Sequence, residues 1–215
     1  MKRIRSPREV LAALDRMLAE KVRPVKGSSP LEKTVEILYT QRPYIWVGIY
    51  LVAGERVVRQ AFRGPVPPCH SFAFGKGNVG TVGESGFMKV IPDVSSDPTY
   101  SMCFLETKSE LVVPIKIVGR TLGVIDVESD RPDAFGPLDQ ILLKDVARRL
   151  ARFLTSSGKR YVRKAKEAAA AEAEAEPAVP AERGRPPASE KPAAKPAAAA
   201  VSTPRRAVAG DLVRP

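Results

Sequence analysis

The stretch PPCHSFAFGKGNVG, residues 67–80, places Gly75, Gly77 and Gly80 in a G-x-G-x-x-G spacing. In a dinucleotide-binding βαβ unit such glycines follow a buried parallel strand, open a long helix and precede an acid about 20 positions on. Here the strand before them, HSFAF, is short, and the helix after them spans only 78–85 before Gly86 stops it. The chain then turns strand-like again, with KVIPDV (89–94), SELVVPIKI, a tight turn at Val118-Gly119-Arg120, and TLGVIDVES. So short a connection joins antiparallel strands, because a parallel pair needs a crossover of a dozen or more residues. The glycines therefore belong to an antiparallel sheet, and the dinucleotide reading falls.

Working outward, YIWVGIYLV (44–52) is β-branched and aromatic throughout, which predicts a buried strand. Ala53-Gly54 turns it into ERVVRQAF (55–62) as a hairpin. Ser6-Pro7-Arg8-Glu9 and Ser29-Pro30-Leu31-Glu32 are capping boxes with proline at the first helical position. Behind the first, Val10, Leu11, Leu14, Met17 and Leu18 form an apolar stripe; behind the second come Leu31, Val35 and Leu38. A last helix, from Pro137 to about Phe153, is expected to turn Leu138, Ile141, Leu142, Val146, Leu150 and Phe153 to the core. Two helices, five or six strands around a short helix, and a long helix make an α+β domain, its antiparallel sheet carrying helices on one face.

The 215 residues are 44% hydrophobic, but the apolar material is uneven. Residues 1–27 read as an N-terminal amphipathic helix, 28–155 as the globular domain, and 156–215 as an Ala/Pro/Lys-rich disordered tail. Large apolar side chains are too scarce in that tail to offset the entropy of ordering it, although Ala and Glu suit a short helix over 160–176. The net charge of +11 divides the same way. Lys and Arg outnumber Asp and Glu by eight to three in 1–27 and by twelve to seven in 156–215, against fifteen to fourteen between them. That balance argues against a nucleic-acid-binding core and leaves weak, salt-sensitive contact with nucleic acid or acidic partners to the flanks. The basic start has no apolar h-region, and no apolar run reaches the roughly 20 residues of a membrane span, so a cytoplasmic protein is expected. In that compartment Cys69 and Cys103, the two cysteines, are thiols rather than a structural staple.

GKGNVGTVGESG with PDV, and SELVVPI with GVIDVES, resemble the GAF domain, a small-molecule-binding and sensory module, over roughly 30–155. Within that family the layout is similar to the free methionine-(R)-sulfoxide reductases, which use cysteines to reduce the free amino acid. The resemblance matches Trp46 and Tyr50 in WVGIY to substrate-facing aromatics, Cys69 to the first cysteine and Cys103 to the nucleophile. Glu110 and Asp126 match two substrate-facing carboxylates, and Glu128 replaces an aspartate as the third. The chain departs from the pattern in three places. Val79 stands where those enzymes carry a further cysteine, Phe104 follows Cys103 in place of an aspartate, and Tyr100-Ser101-Met102 replaces a histidine-containing approach. Any redox cycle then rests on Cys69 and Cys103, with an external dithiol such as thioredoxin as reductant and no bound cofactor.

The chemistry suits those residue types. A thiolate attacks the sulfoxide sulfur, a second thiol condenses with the resulting sulfenic acid, and carboxylates can hold the substrate ammonium or donate a proton. Asp126 and Glu128, two apart, share a face of one strand, where each raises the other's pKa. Plainer readings stand beside these: unpaired thiols, a solvated acidic sheet face, and core aromatics at Trp46 and Tyr50. His70, the one histidine, allows no Ser/His/Asp triad beyond itself and makes a metal site improbable. The competing function is a non-catalytic GAF sensor that binds a small ligand in signalling. The first helix suits either a homodimer or packing within the chain.

Overall fold

The computed structural model describes residues 5–19, 29–156 and 158–175. β1 (Trp46–Ala53) turns at Gly54, where φ is 63°, into β2 (Arg56–Arg63). β3 (Ser71–Ala73) then leads through Gly75 and Gly77 into helix α3 (Gly77–Ser85), which ends at Gly86 in the left-handed region. β4 (Lys89–Ile91) is shorter than the expected 89–94: Pro92 cannot donate to the ladder, and Asp93 instead caps a 3-10 turn at Val94–Ser96. β5 (Ser109–Ile117) and β6 (Arg120–Ser129) meet at Val118 and Gly119, both at positive φ, as a two-residue hairpin requires. All pairs are antiparallel, and the sheet runs β3-β2-β1-β6-β5-β4. The two hairpins are thus joined through β1 and β6.

Both capping boxes form. In the second, Ser29 N–H donates to Glu32 at 2.5 Å and Glu32 N–H donates back to Ser29 Oγ at 3.2 Å. α1 (Pro7–Ala19) and α2 (Pro30–Gln41) bury Val10, Leu14, Leu31, Val35 and Leu38 in one core with α4 (Pro137–Ser156). Arg149 on α4 donates to Asp15 on α1 at 2.6 Å, and Arg42 and Tyr44 both donate to Asp139 at the start of α4. The apolar stripe of α1 is therefore spent within the chain.

Two expectations need correction. Leu138 and Ile141 are 67% and 56% exposed, because the core-facing stripe of α4 is Leu142, Leu143, Val146, Ala147, Leu150, Ala151 and Leu154. Ordered structure also runs past residue 156: α5 (Lys159–Ala175) occupies the helix expected over 160–176 and seats Ala165 and Ala169 in the main core. Small side chains suffice there because the helix lies close on the sheet. The Ala/Pro/Lys-rich stretch beyond α5, residues 1–4 and residues 20–28 fall outside the described residues, and with them most of the expected basic tail.

Strand alternation sorts the sheet into two faces. Val47, Ile49 and Leu51 of β1, Leu111, Val113 and Ile115 of β5, and Ile125 and Val127 of β6 face α1, α2, α4 and α5. The opposite face, with Trp46, Tyr50, Val57, Val112 and Val124, is covered by α3 through Val79 and Val82. Gly80 makes that cover possible: a Cβ there would lie 2.1 Å from the carbonyl oxygen of Ala73.

Candidate functional site

The α3 side of the sheet carries a cluster of buried acids, where the other side is mainly aliphatic. Glu110 on β5 lies directly opposite Glu128 on β6, and Asp126 pairs with Val112 on one side and Gly48 of β1 on the other. All three acids project to one face, and each is no more than 4% exposed. The loop 64–70 and the loop 97–108 roof them over, bringing Pro67, Ser101, Cys103 and Phe104 into the lining with Trp46, Tyr50 and Phe72. The pocket holds about 310 Å³ of space between atoms, part of it open to solvent.

Trp46 lies flat along its own strand because residue 48 is glycine: a Cβ there would sit 2.0 Å from the edge of the indole ring. Its N–H donates to the carbonyl of Pro65 at 3.2 Å, and the ring packs 6.3 Å from Tyr50 and 5.8 Å from Phe104. Opposite these aromatics the two sulfurs meet. Cys103 Sγ is 2.9 Å from Cys69 Sγ, well beyond the roughly 2.05 Å of a disulfide bond, and both residues are partly exposed free thiols. Arg59 holds the Cys69 side by donating to its carbonyl oxygen at 2.6 Å.

Burial sets the electrostatics. It lifts Glu110 to about 7 against the pull of Asn78, and lifts Glu128 to about 8 with help from the charge of Glu110 and against the hydroxyl of Thr107. Asp126 is pushed well up, first by burial and then by its two acidic neighbours. It shares a hydrogen bond with Glu110, and its Oδ1 is buried with no partner. Three acids packed this closely retain protons near neutral pH. The Cys103 thiol is also pushed up, by burial first, then by Cys69, Glu128 and Asp126.

The structure thus gathers Trp46, Tyr50, Cys103, Glu110, Asp126 and Glu128 around one pocket, with Cys69 against Cys103. Val79 stands in the pocket wall at 3% exposure, away from solvent but facing the same space. Asn78, Lys89 and Thr107 were not singled out from sequence. Asn78 donates to Glu110 at 2.6 Å, Lys89 donates to Asn78 Oδ1 at 2.5 Å, and Thr107 donates to Glu128. For Asn78 a signal existed, since a polar side chain among the Gly and Val residues that open α3 asks for a partner. Among the described residues no group of three or more His, Cys, Asp or Glu is placed to hold a metal ion, and no helix is long and apolar enough to cross a membrane.

Glycine-bound helix, antiparallel sheet and roofed pocket coincide with a family model, that of the GAF domain, which matches residues 29–154. The chain belongs to the GAF family. GAF domain-containing protein A of Dictyostelium discoideum is 33% identical over 121 residues, covering 56% of this chain and 76% of that one. A free methionine-R-sulfoxide reductase of Saccharomyces cerevisiae is 36% identical over 107 residues, 48% of this chain and 59% of that one. Among solved GAF-fold structures, the free methionine-R-sulfoxide reductase of Neisseria meningitidis in complex with its substrate superposes with a TM-score of 0.63 at 27% identity, over 79% of this chain and 99% of that one.

Proposed function

We propose that this GAF domain is a thiol-dependent reductase of free methionine-(R)-sulfoxide, with Cys103 as the attacking thiol and Cys69 as the resolving one. The observation that carries the reading is the 2.9 Å approach of the two sulfurs at the rim of a pocket floored by three buried acids. The chain's likeness to reductases bearing that name supports the substrate class.

Cys103 Sγ attacks the sulfoxide sulfur while a carboxyl proton from Glu128 or Asp126 moves to the sulfoxide oxygen. The oxygen transfers to Cys103, leaving methionine, and the acid regains the proton that the thiol lost. Methionine sulfur gains two electrons and Cys103 becomes a sulfenic acid. Cys69 then displaces the sulfenic oxygen as water and forms the Cys69–Cys103 disulfide. An external dithiol, thioredoxin or a small-molecule equivalent, takes the disulfide back to two thiols. Burial holds the Cys103 thiol protonated in the free protein, so its proton must pass to an acid of the cluster as the sulfur attacks. The ammonium of the substrate meets the one carboxylate of the three that ionises first, and Trp46 with Tyr50 supplies an apolar wall for the side chain.

The test offers the pure protein free methionine-(R)-sulfoxide with dithiothreitol and with thioredoxin plus its reductase, and measures methionine. Turnover abolished by Cys103→Ser is expected. With Cys69→Ser, turnover by thioredoxin is lost while a single equivalent of methionine is still released. Absence of turnover in the wild type, with the two thiols still joining on oxidation, would leave a non-catalytic GAF sensor in its place.

A further inference from the structure

Lys89 stands outside the pocket wall and yet is bonded to its floor at one remove. Its Nζ donates to Asn78 Oδ1 at 2.5 Å, to Thr99 Oγ1 at 2.5 Å and to Asp97 Oδ2 at 2.9 Å. An ammonium has only donors, so it admits the oxygen of the Asn78 amide and turns the amide nitrogen the other way. That nitrogen donates to Glu110 Oε2 at 2.6 Å. Three segments distant in sequence are joined here: the edge strand β4, the start of α3, and the loop that carries Cys103. Asp97, which burial alone would raise, is held down to about 2 by Lys89 and Thr99, so the loop end of the network stays ionised.

From this geometry we infer that Lys89 is a positioning residue: acting through Asn78 it makes Glu110 the carboxylate that ionises, and leaves the proton to Glu128 and Asp126. The inference rests on the reductase reading for its catalytic meaning, but not for its titration. Burial and Asp97 on the loop oppose the ionisation of Glu110; Asn78 on α3 and the Asp126 carboxyl on β6 favour it through hydrogen bonds, and Lys89 on β4 favours it by its charge, while the charge of Glu110 in turn holds the proton on Glu128. Thr107, on the loop, donates to Glu128 instead. The two sides of the cluster are thereby made unequal: Glu110 has an amide donor backed by a cation, Glu128 has a neutral hydroxyl, and Asp126 Oδ1 has nothing. The ionised Glu110 is left to meet the substrate ammonium, and the protonated pair to supply the sulfoxide oxygen.

The experiment compares wild type, Lys89→Met, Asn78→Leu and Lys89→Arg by carboxyl-carbon NMR titration without substrate, then by the pH dependence of kcat/KM. In the wild type the first cluster proton leaves near 7. In Lys89→Met and Asn78→Leu that step moves up by about half a pH unit or more, and the rising limb of the rate profile moves with it. Lys89→Arg restores both. Unchanged titration in both variants, with folding verified by circular dichroism, overturns the inference even if the enzyme turns over. Shifted titration in a protein with no turnover upholds Lys89 and rejects the reductase reading. Should Lys89→Met fail to fold, Asn78→Leu carries the same measurement.

Discussion

Consecutive residues of β6 live in unlike worlds. Ile125 and Val127 are packed among aliphatic side chains of four helices, while Asp126 and Glu128, one position away, are as deeply buried among acids, aromatics and thiols. One face of the sheet gains stability mainly from apolar contact. The other gives stability up: a polar atom kept from water is costly unless hydrogen-bonded, and Asp126 Oδ1 has no partner. The fold can carry such a face because the apolar one, with α1, α2, α4 and α5 against it, holds the strands in register regardless. Stability and chemistry are thus segregated across the thickness of a single sheet.

The sharpest way to break that comparison is to cut into each side. Leu142→Ala, on the helix face, should lose about 2–5 kcal/mol through transfer and cavity terms, read by denaturant unfolding. If Glu128→Gln costs as much near pH 8, the acids are structural and the division fails. Gly48→Ala comes next, since its Cβ must displace the Trp46 ring. Overpacking of this kind costs about 1–3 kcal/mol. Trp46 is the one tryptophan, so its emission reports the displacement directly. Unaltered emission would mean that the ring does not depend on the glycine.

The smallest effect per step is the response to pH. Glu110 and Glu128 sit at about 7 and about 8 in the fold, against an ordinary glutamate value near 4.3 in the unfolded chain. The unfolded chain therefore gives up protons that the fold retains. The contribution of these two groups is full below about pH 4.3, declines by roughly 1.4 kcal/mol per pH unit for each such proton, and is gone above about pH 8. Thermal unfolding between about pH 5 and pH 9 should show Tm falling, and falling less in Glu128→Gln. A flat wild-type profile would place the acids in solvent.

What was readable in the sequence follows the reach of the interactions. The hairpins β1–β2 and β5–β6 are encoded by β-branched runs and by turns at Gly54 and Gly119, all within a few residues. Helix starts were equally plain, because a capping box is a four-residue device. The stripe of α4 was placed too early, since hydropathy marks Leu138 and Ile141 as apolar without saying that the first turns of the helix overhang the sheet. The helix over 160–176 is legible from its Ala and Glu, but its seat in the core is not, because alanine gives little apolar signal although small residues are what let a helix lie close. The candidate acids and thiols were visible through their resemblance to a known pattern. Lys89, Asn78 and Thr107 were not, because each matters through a partner 11 to 32 positions away.

The meeting of Cys69 and Cys103 has a thermodynamic corollary. Folding raises the effective concentration of one thiol at the other far above that in an open chain of 34 intervening steps. A closed cycle links that gain to the opposite leg: whatever the fold contributes to joining the sulfurs, their joining returns to the fold. For a loop of this length the chain-entropy model puts the returned stability at about 4 kcal/mol. Under the proposed function, the redox state of the pocket is therefore written into the melting behaviour of the whole domain.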